Sequence, residues 1–213
     1  MGYTTDFSGG FKFSKPLTAE QKIYLVHFNE TRRMRRDVHI LSRGRFDEFK
    51  DSVREAVGLP IGNEGMFYVG SHSNGFHGQG RDESIIDYNQ PPMSVSNNMI
   101  EDFNEYWKEN DRRREEGISQ PGLWCQWVCN EDGTELIWDG GEKFSYYIQW
   151  LEWLIKNIFD KWDIKLNGLI FWKGEGDNDN GGITVMDSVI TTNTYTDEEF
   201  ASFSPFEPRE VYE

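Results

Sequence analysis

The sequence predicts an α+β fold: an antiparallel sheet built from hairpins, with helices packed mainly on one face. Three observations carry this. Asp132-Gly133, set between CQWVC and ELIW, is a two-residue hairpin signal. Residues 143–162 (KFSYYIQWLEWLIKNIFDKW) repeat apolar side chains at helical spacing. LIFWKG and ITVMDSVITTNTY read as two strands around the loop GEGDNDNGG. Hairpins beside helices favour α+β over alternating βαβ units.

Residues 3–13 (YTTDFSGGFKF) read as a strand or hairpin broken at Ser8-Gly9-Gly10. A helix then starts after Pro16, with Thr18 as cap and Gln21 placed to complete a capping box. Ile23, Leu25, Val26 and Phe28 form its expected buried stripe. A second helix is expected over 46–57 through Phe46, Phe49, Val53 and Val57, and a short strand over 65–70 (GMFYVG). Residues 71–98, rich in Gly, Ser, Asn and Pro, read as a long loop, and 99–116 as a charged helix with a narrow apolar stripe. The expected organisation is therefore one domain over 1–196, with the loop and charged helix inserted at about 71–118. The acidic residues 197–213 are expected to form a flexible tail.

Counting back from Asp132-Gly133 pairs Cys129 with Leu136 and Trp127 with Trp138, which places both tryptophans on one face. Cys125 and Cys129 share that face about 13 Å apart along a regular strand. A disulfide needs Cα atoms within roughly 7 Å, so these cysteines read as reduced packing residues. The second stripe of the long helix (Tyr146, Trp150, Trp153) is either covered by the loop or charged helix, or left for a partner.

Charge is unevenly spread. The 213 residues carry a net −15, with 11 basic against 8 acidic residues before position 61 and 11 against 29 after it. Such a field favours solubility and basic partners, and it opposes nucleic acid and anionic membranes. No apolar run is long enough to span a bilayer, and MGYTTDFSGG lacks the regions of a signal peptide, so the expected location is cytoplasmic.

The chemical motifs are sparse. Six arginines fall within 30–45, where they suit either the end of the first helix or an anion. The aromatic interleaving of a single-strand binder is missing from that stretch, so direct nucleic-acid binding is not expected. His72 and His77 have no third ligand at close spacing. Asp177-Asn178-Asp179-Asn180-Gly181-Gly182 fails as a calcium loop because the twelfth position is Ser188. No catalytic motif is present, and no metal, cofactor or catalytic residue is assigned.

Four strings, ETRRMRRD (30–37), IIDYNQPP (85–92), PGLWCQW (121–127) and EDGTELIWDGGEKF (131–144), together resemble a family of hypothetical proteins from bacterial and bacteriophage genomes. The likeness continues through Trp150-Leu151 to Asn167-Gly168. The resemblance implies a phage or mobile-element setting and a host cytoplasm, but no mechanism. Relative to that family, the charged helix at about 93–118 is an addition.

Three functional expectations follow. The first is a non-enzymatic acidic binding protein that engages a host protein, of anti-defence or inhibitor type, through Trp150, Trp153, Phe200, Phe203 and Phe206. The second is a small-ligand protein that holds a nucleotide or phosphorylated metabolite with Arg32, Arg33, Arg35, Arg36, Asp87, Tyr88 and Asn89. The third is an enzyme with a dispersed acidic site that uses acids such as Asp87 or Asp139. The oligomeric state stays open.

Overall fold

In the computed structural model, residues 3–43, 49–70 and 81–203 are described. Six antiparallel strands form the main sheet: β1 (Thr5–Phe13), β4 (Trp127–Cys129), β5 (Glu135–Trp138), β6 (Leu166–Gly174), β7 (Asn180–Met186) and β8 (Val189–Thr194). Their order is β4-β5-β1-β6-β7-β8. A two-stranded ribbon pairs β2 (Arg35–Arg36) with β3 (Ile85–Asp87).

The N-terminal strand is central and unbroken. β1 pairs with β6 from Thr5↔Gly174 to Phe13↔Leu166, straight through Ser8-Gly9-Gly10. The glycines permit close approach instead of a turn. Gly9 lies at φ +110°, where a Cβ would sit 2.4 Å from the Leu169 carbonyl oxygen. Phe7, Phe11 and Phe13 alternate onto the inner face.

Helices α1 (Ala19–Glu30) and α5 (Tyr147–Leu154) cover that face. Thr18 caps α1: its Oγ1 accepts from the Gln21 N–H, and the Gln21 side chain accepts from the Thr18 N–H. The buried residues of α1 are Tyr24, Leu25 and Phe28, whereas Ile23 and Val26 are exposed, contrary to the apolar pattern. Turning the two rings inward removes more apolar area from water, at roughly 25 cal/mol per Å².

The segment expected as one helix over 143–162 starts late and changes pitch. Lys143 and Tyr146 both sit in the left-handed region, so α5 begins at Tyr147. It continues as a π turn (Ile155–Phe159) and a 3-10 turn (Asp160–Trp162). Residues 65–70 form no strand, although Phe67, Tyr68 and Val69 are buried. α2 (Val38–Arg43) and α3 (Ser52–Ala56) flank the undescribed 44–48, so the full 46–57 helix lies partly outside the described residues.

Two hairpin turns refine the reading. Trp127↔Trp138 and Cys129↔Leu136 pair as the sequence predicts. Only Gly133 has positive φ, however, and its N–H bonds the Asn130 carbonyl, so the turn is not type I′. ITVMDSVITTNTY is two strands, because Asp187 (φ 47°) and Ser188 (φ 68°) reverse the chain between Met186 and Val189. Two positive φ values in succession are what a tight hairpin needs.

On the opposite face, α6 (Asp197–Phe203) packs Phe200 and Phe203 against Phe171 and Tyr195. The acidic tail therefore begins as a docked helix, and 204–213 lie outside the described residues. α4 (Phe103–Glu115) is the charged helix, with Asp102 as its cap. Among the described residues, no helix is long and apolar enough to cross a membrane.

Candidate functional site

Three members of the arginine cluster are taken up by the fold. Arg33 is 2% exposed; its guanidinium lies 4.2 Å from the Phe28 ring centroid and donates to the Met66 carbonyl at 3.0 Å. Burial lowers its pKa to about 10. Arg36, also 2% exposed, donates to Asp82 and Ser84. Arg35 forms a two-pronged pair with Glu64, a bond that raises the Arg35 pKa. These three tie the ribbon to the core and present no open anion site. Arg32 differs. It is half-buried, its Nε donates to the Tyr88 carbonyl, and its guanidinium reaches the rings of Tyr88 (4.4 Å) and Trp124 (5.9 Å).

The proposed partner residues are also largely covered. Trp150 and Trp153 are 0% and 1% exposed, with Trp153 stacked on Phe28 at 5.6 Å. The wide aromatic arc of α5 is core because α1 and Phe67 close over it. Phe200 is buried under the outer sheet face, Phe203 is partly exposed, and Phe206 lies outside the described residues. Asp139 and Asp87 are turn-forming acids: Asp139 accepts from Asn29 and the Gly141 N–H, and Asp87 from the Asn89 N–H. His72 and His77 lie outside the described residues. Among the described residues, no group of three His, Cys, Asp or Glu could hold a metal ion. The thiols are free, and burial pushes Cys125 up to about 12.

The cavity that the structure assembles was not legible as a motif. A cleft of about 340 Å³ opens beside the chain leading into β4. Asn89, Gln90, Pro91 and Ser94 form one wall, and Tyr106, Trp107, Asn110 and Arg114 of α4 form another. Pro121–Trp124 and Lys143, Ser145 and Tyr146 complete it. Three of the strings singled out in the sequence (IIDYNQPP, PGLWCQW and WDGGEKF) thus converge on one cleft, and the interposed helix closes it.

Local geometry explains this convergence. Asn110, 2% exposed, anchors α4 by accepting the Val95 N–H at 2.8 Å, and Arg113 donates to the Met93 carbonyl. The left-handed conformations of Lys143 and Tyr146 turn the chain past the cleft before α5 begins. Such conformations cost about 1–3 kcal/mol each and cluster at binding sites.

The lining is chemically selective. It holds four aromatic rings (Tyr106, Trp107, Trp124 and Tyr146), two cations and three amides (Asn89, Gln90 and Asn110). Among the described residues it contains no carboxylate, imidazole or thiol. Arg114 lies over the Tyr146 ring at 4.4 Å and pairs with Asp111, whereas Lys143 is exposed and makes no ion pair among the described residues. Gln90 is 6% exposed; its amide N–H₂ donates to Tyr106 and Asn97, but its Oε1 has no hydrogen-bond partner among the described residues. A buried acceptor of this kind can take a donor from water or from a ligand. No family model, curated protein or solved structure matches this chain.

Proposed function

We propose that the protein is a non-enzymatic binding protein whose cleft holds a small ligand combining a planar ring with an anionic group, of the nucleotide class. The single observation behind this reading is the cleft lining, which has four rings, two cations and no described carboxylate in a chain of net charge −15. Rings of this kind stack on a planar ligand. Lys143, which makes no ion pair among the described residues, suits a phosphate, and the Asn89 amide and Gln90 Oε1 suit the edge of a base. The volume lies within the usual range for a small-molecule pocket, about 300–1,000 Å³. The ligand reading thus moves from the arginine cluster, whose Arg33, Arg35 and Arg36 are engaged within the fold, to a neighbouring site.

Calorimetric titration with AMP tests this. Measurable binding is expected, weakened about tenfold or more by Trp124→Ala and by Lys143→Ala, since stacking and charged hydrogen bonds are each worth about 1–3 kcal/mol. AMP affinity indifferent to both substitutions would reject the cleft.

A second reading places a basic macromolecular partner, such as a host protein met by an anti-defence factor, on the acid-rich end of the sheet. Exposed Glu198 and Glu199 on α6, and exposed Asp187 between Met186 and Val189 at the other end of the β7–β8 hairpin, favour it. Charge reversal at these acids should then abolish a salt-sensitive complex while leaving AMP titration intact.

A further inference from the structure

The cleft continues into an alternating row of cations and rings. Arg81 lies over Tyr88 at 4.8 Å, Arg32 over the same ring at 4.4 Å, and Arg32 also reaches Trp124 at 5.9 Å. Trp124 is itself part of the cleft, whose far side ends in Tyr146 under Arg114. Arg81 is exposed, and neither Arg32 nor Arg81 has an ion-pair partner among the described residues. Of the acids near the row in sequence, Asp82 pairs with Arg36 and Asp87 accepts from the Asn89 N–H, while Glu83 is exposed. A row of this kind exceeds what one mononucleotide needs. It offers stacking planes and cations at successive steps, the pattern that tracks a single strand without reading its sequence.

From this we infer that the row Arg81–Tyr88–Arg32–Trp124 is a track for single-stranded nucleic acid, whose terminal or flipped nucleotide occupies the cleft. The inference rests on the nucleotide reading of the cleft and extends it. The net charge of −15 stands against it, but distance weakens part of that objection. Some of the acids, on α6 and the β7–β8 turn, lie at the far edge of the sheet from the cleft, which adjoins β4, whereas exposed Glu101, Asp102 and Glu105 around the start of α4 and Glu142 beside Lys143 lie on the cleft's own side. Five strand spacings separate those edges, about 24 Å at roughly 4.8 Å each, several times the screening length of about 8 Å at physiological salt. On α4, Glu109 pairs with Arg112 and Arg113, Glu116 with Arg112, and Asp111 with Arg114, which leaves less free negative charge beside the cleft than its composition implies. The interleaving absent from the linear arginine run is made in space, where Tyr88 and Trp124 come from distant segments.

The test is a length series: labelled oligo(dT) and oligo(U), as dinucleotide, tetranucleotide and dodecanucleotide, titrated at low and moderate salt beside AMP. Affinity is expected to rise with length and to fall with salt. Tyr88→Ala and Arg81→Ala should each remove about tenfold of the gain from length, with thermal melting confirming that both variants fold. The tighter of the two polymers identifies DNA or RNA as the source. If AMP binds but longer strands bind no tighter, the track is wrong and the cleft reading stands. If neither AMP nor any oligonucleotide binds, the nucleotide reading itself fails. A length gain unchanged in both variants would place the strand elsewhere and overturn the track.

Discussion

Glu64 and Arg35 form a two-pronged ion pair, with Nη2–Oε1 at 2.6 Å and Nε–Oε2 at 3.0 Å. The same Glu64 Oε2 accepts the Met93 N–H at 2.6 Å, so one carboxylate joins the arginine ribbon to the loop that walls the cleft. Both Glu64 (φ 51°) and Met93 (φ 64°) are left-handed, and these bonds hold them there.

Glu64→Ala should therefore act twice. Breaking a largely buried pair leaves Arg35 uncompensated and costs about 3 kcal/mol, read as a lower urea midpoint. Ligand affinity in the cleft should fall as well, because Ser94 and Pro91 lose their anchor. A change in stability with cleft affinity intact would separate the pair from the site.

Arg33 distinguishes a structural arginine from a ligand-binding one. Its Met66 acceptor is also served by the Gln120 amide at 2.7 Å, so an apolar replacement leaves that carbonyl bonded and loses only the long 3.4 Å bond from Arg33 Nε to Gln120 Oε1. Its own Nη1 is buried without a partner among the described residues. Arg33→Met should stay within about 1 kcal/mol of the parent, whereas Arg33→Ala opens a cavity and loses about 3 kcal/mol. Chemical denaturation of the two variants checks the order.

Gly9→Ala should disrupt the centre of the sheet. The new methyl would meet the Leu169 carbonyl oxygen at 2.4 Å from a backbone at φ +110°. The strained conformation and the forced separation of β1 from β6 together cost about 3 kcal/mol or more. Amide exchange across Thr5–Phe13 should report the loss locally.

The two thiols should differ in reactivity and in pH dependence. Half-buried Cys129 should react with a thiol reagent in the native state, and Cys125 only on global unfolding. Burial raises the Cys125 pKa from 9.0 to about 12, so the folded state favours the neutral thiol. The corresponding stability is fully present below pH 9 and is lost as pH rises towards 12. Cys125→Ala should flatten that alkaline decline relative to the parent; an identical slope would refute the assignment.

Local chemistry was legible in the sequence wherever a few adjacent residues decide the outcome. Thr18 and Gln21 announce their capping box, and Asp132-Gly133 sets the Trp127↔Trp138 register even though the turn itself differs. The pattern misled where apolar residues lie on several sides of a helix: Ile23 and Val26 yield to Tyr24 and Phe28. It also misled at Asp187-Ser188, a turn hidden between β-branched runs. The cleft was illegible for another reason. Its walls come from 89–94, 106–114, 121–124 and 143–146, and periodicity says nothing about which loops meet.

The most direct measurement follows the indole N–H resonances of ¹⁵N-labelled protein during titration with AMP. The account predicts that Trp107 and Trp124, the cleft tryptophans, shift in a saturable manner while Trp162 and Trp172 stay in place. Shifts confined to Trp162 or Trp172, or none at saturating AMP, would contradict the cleft as the binding site.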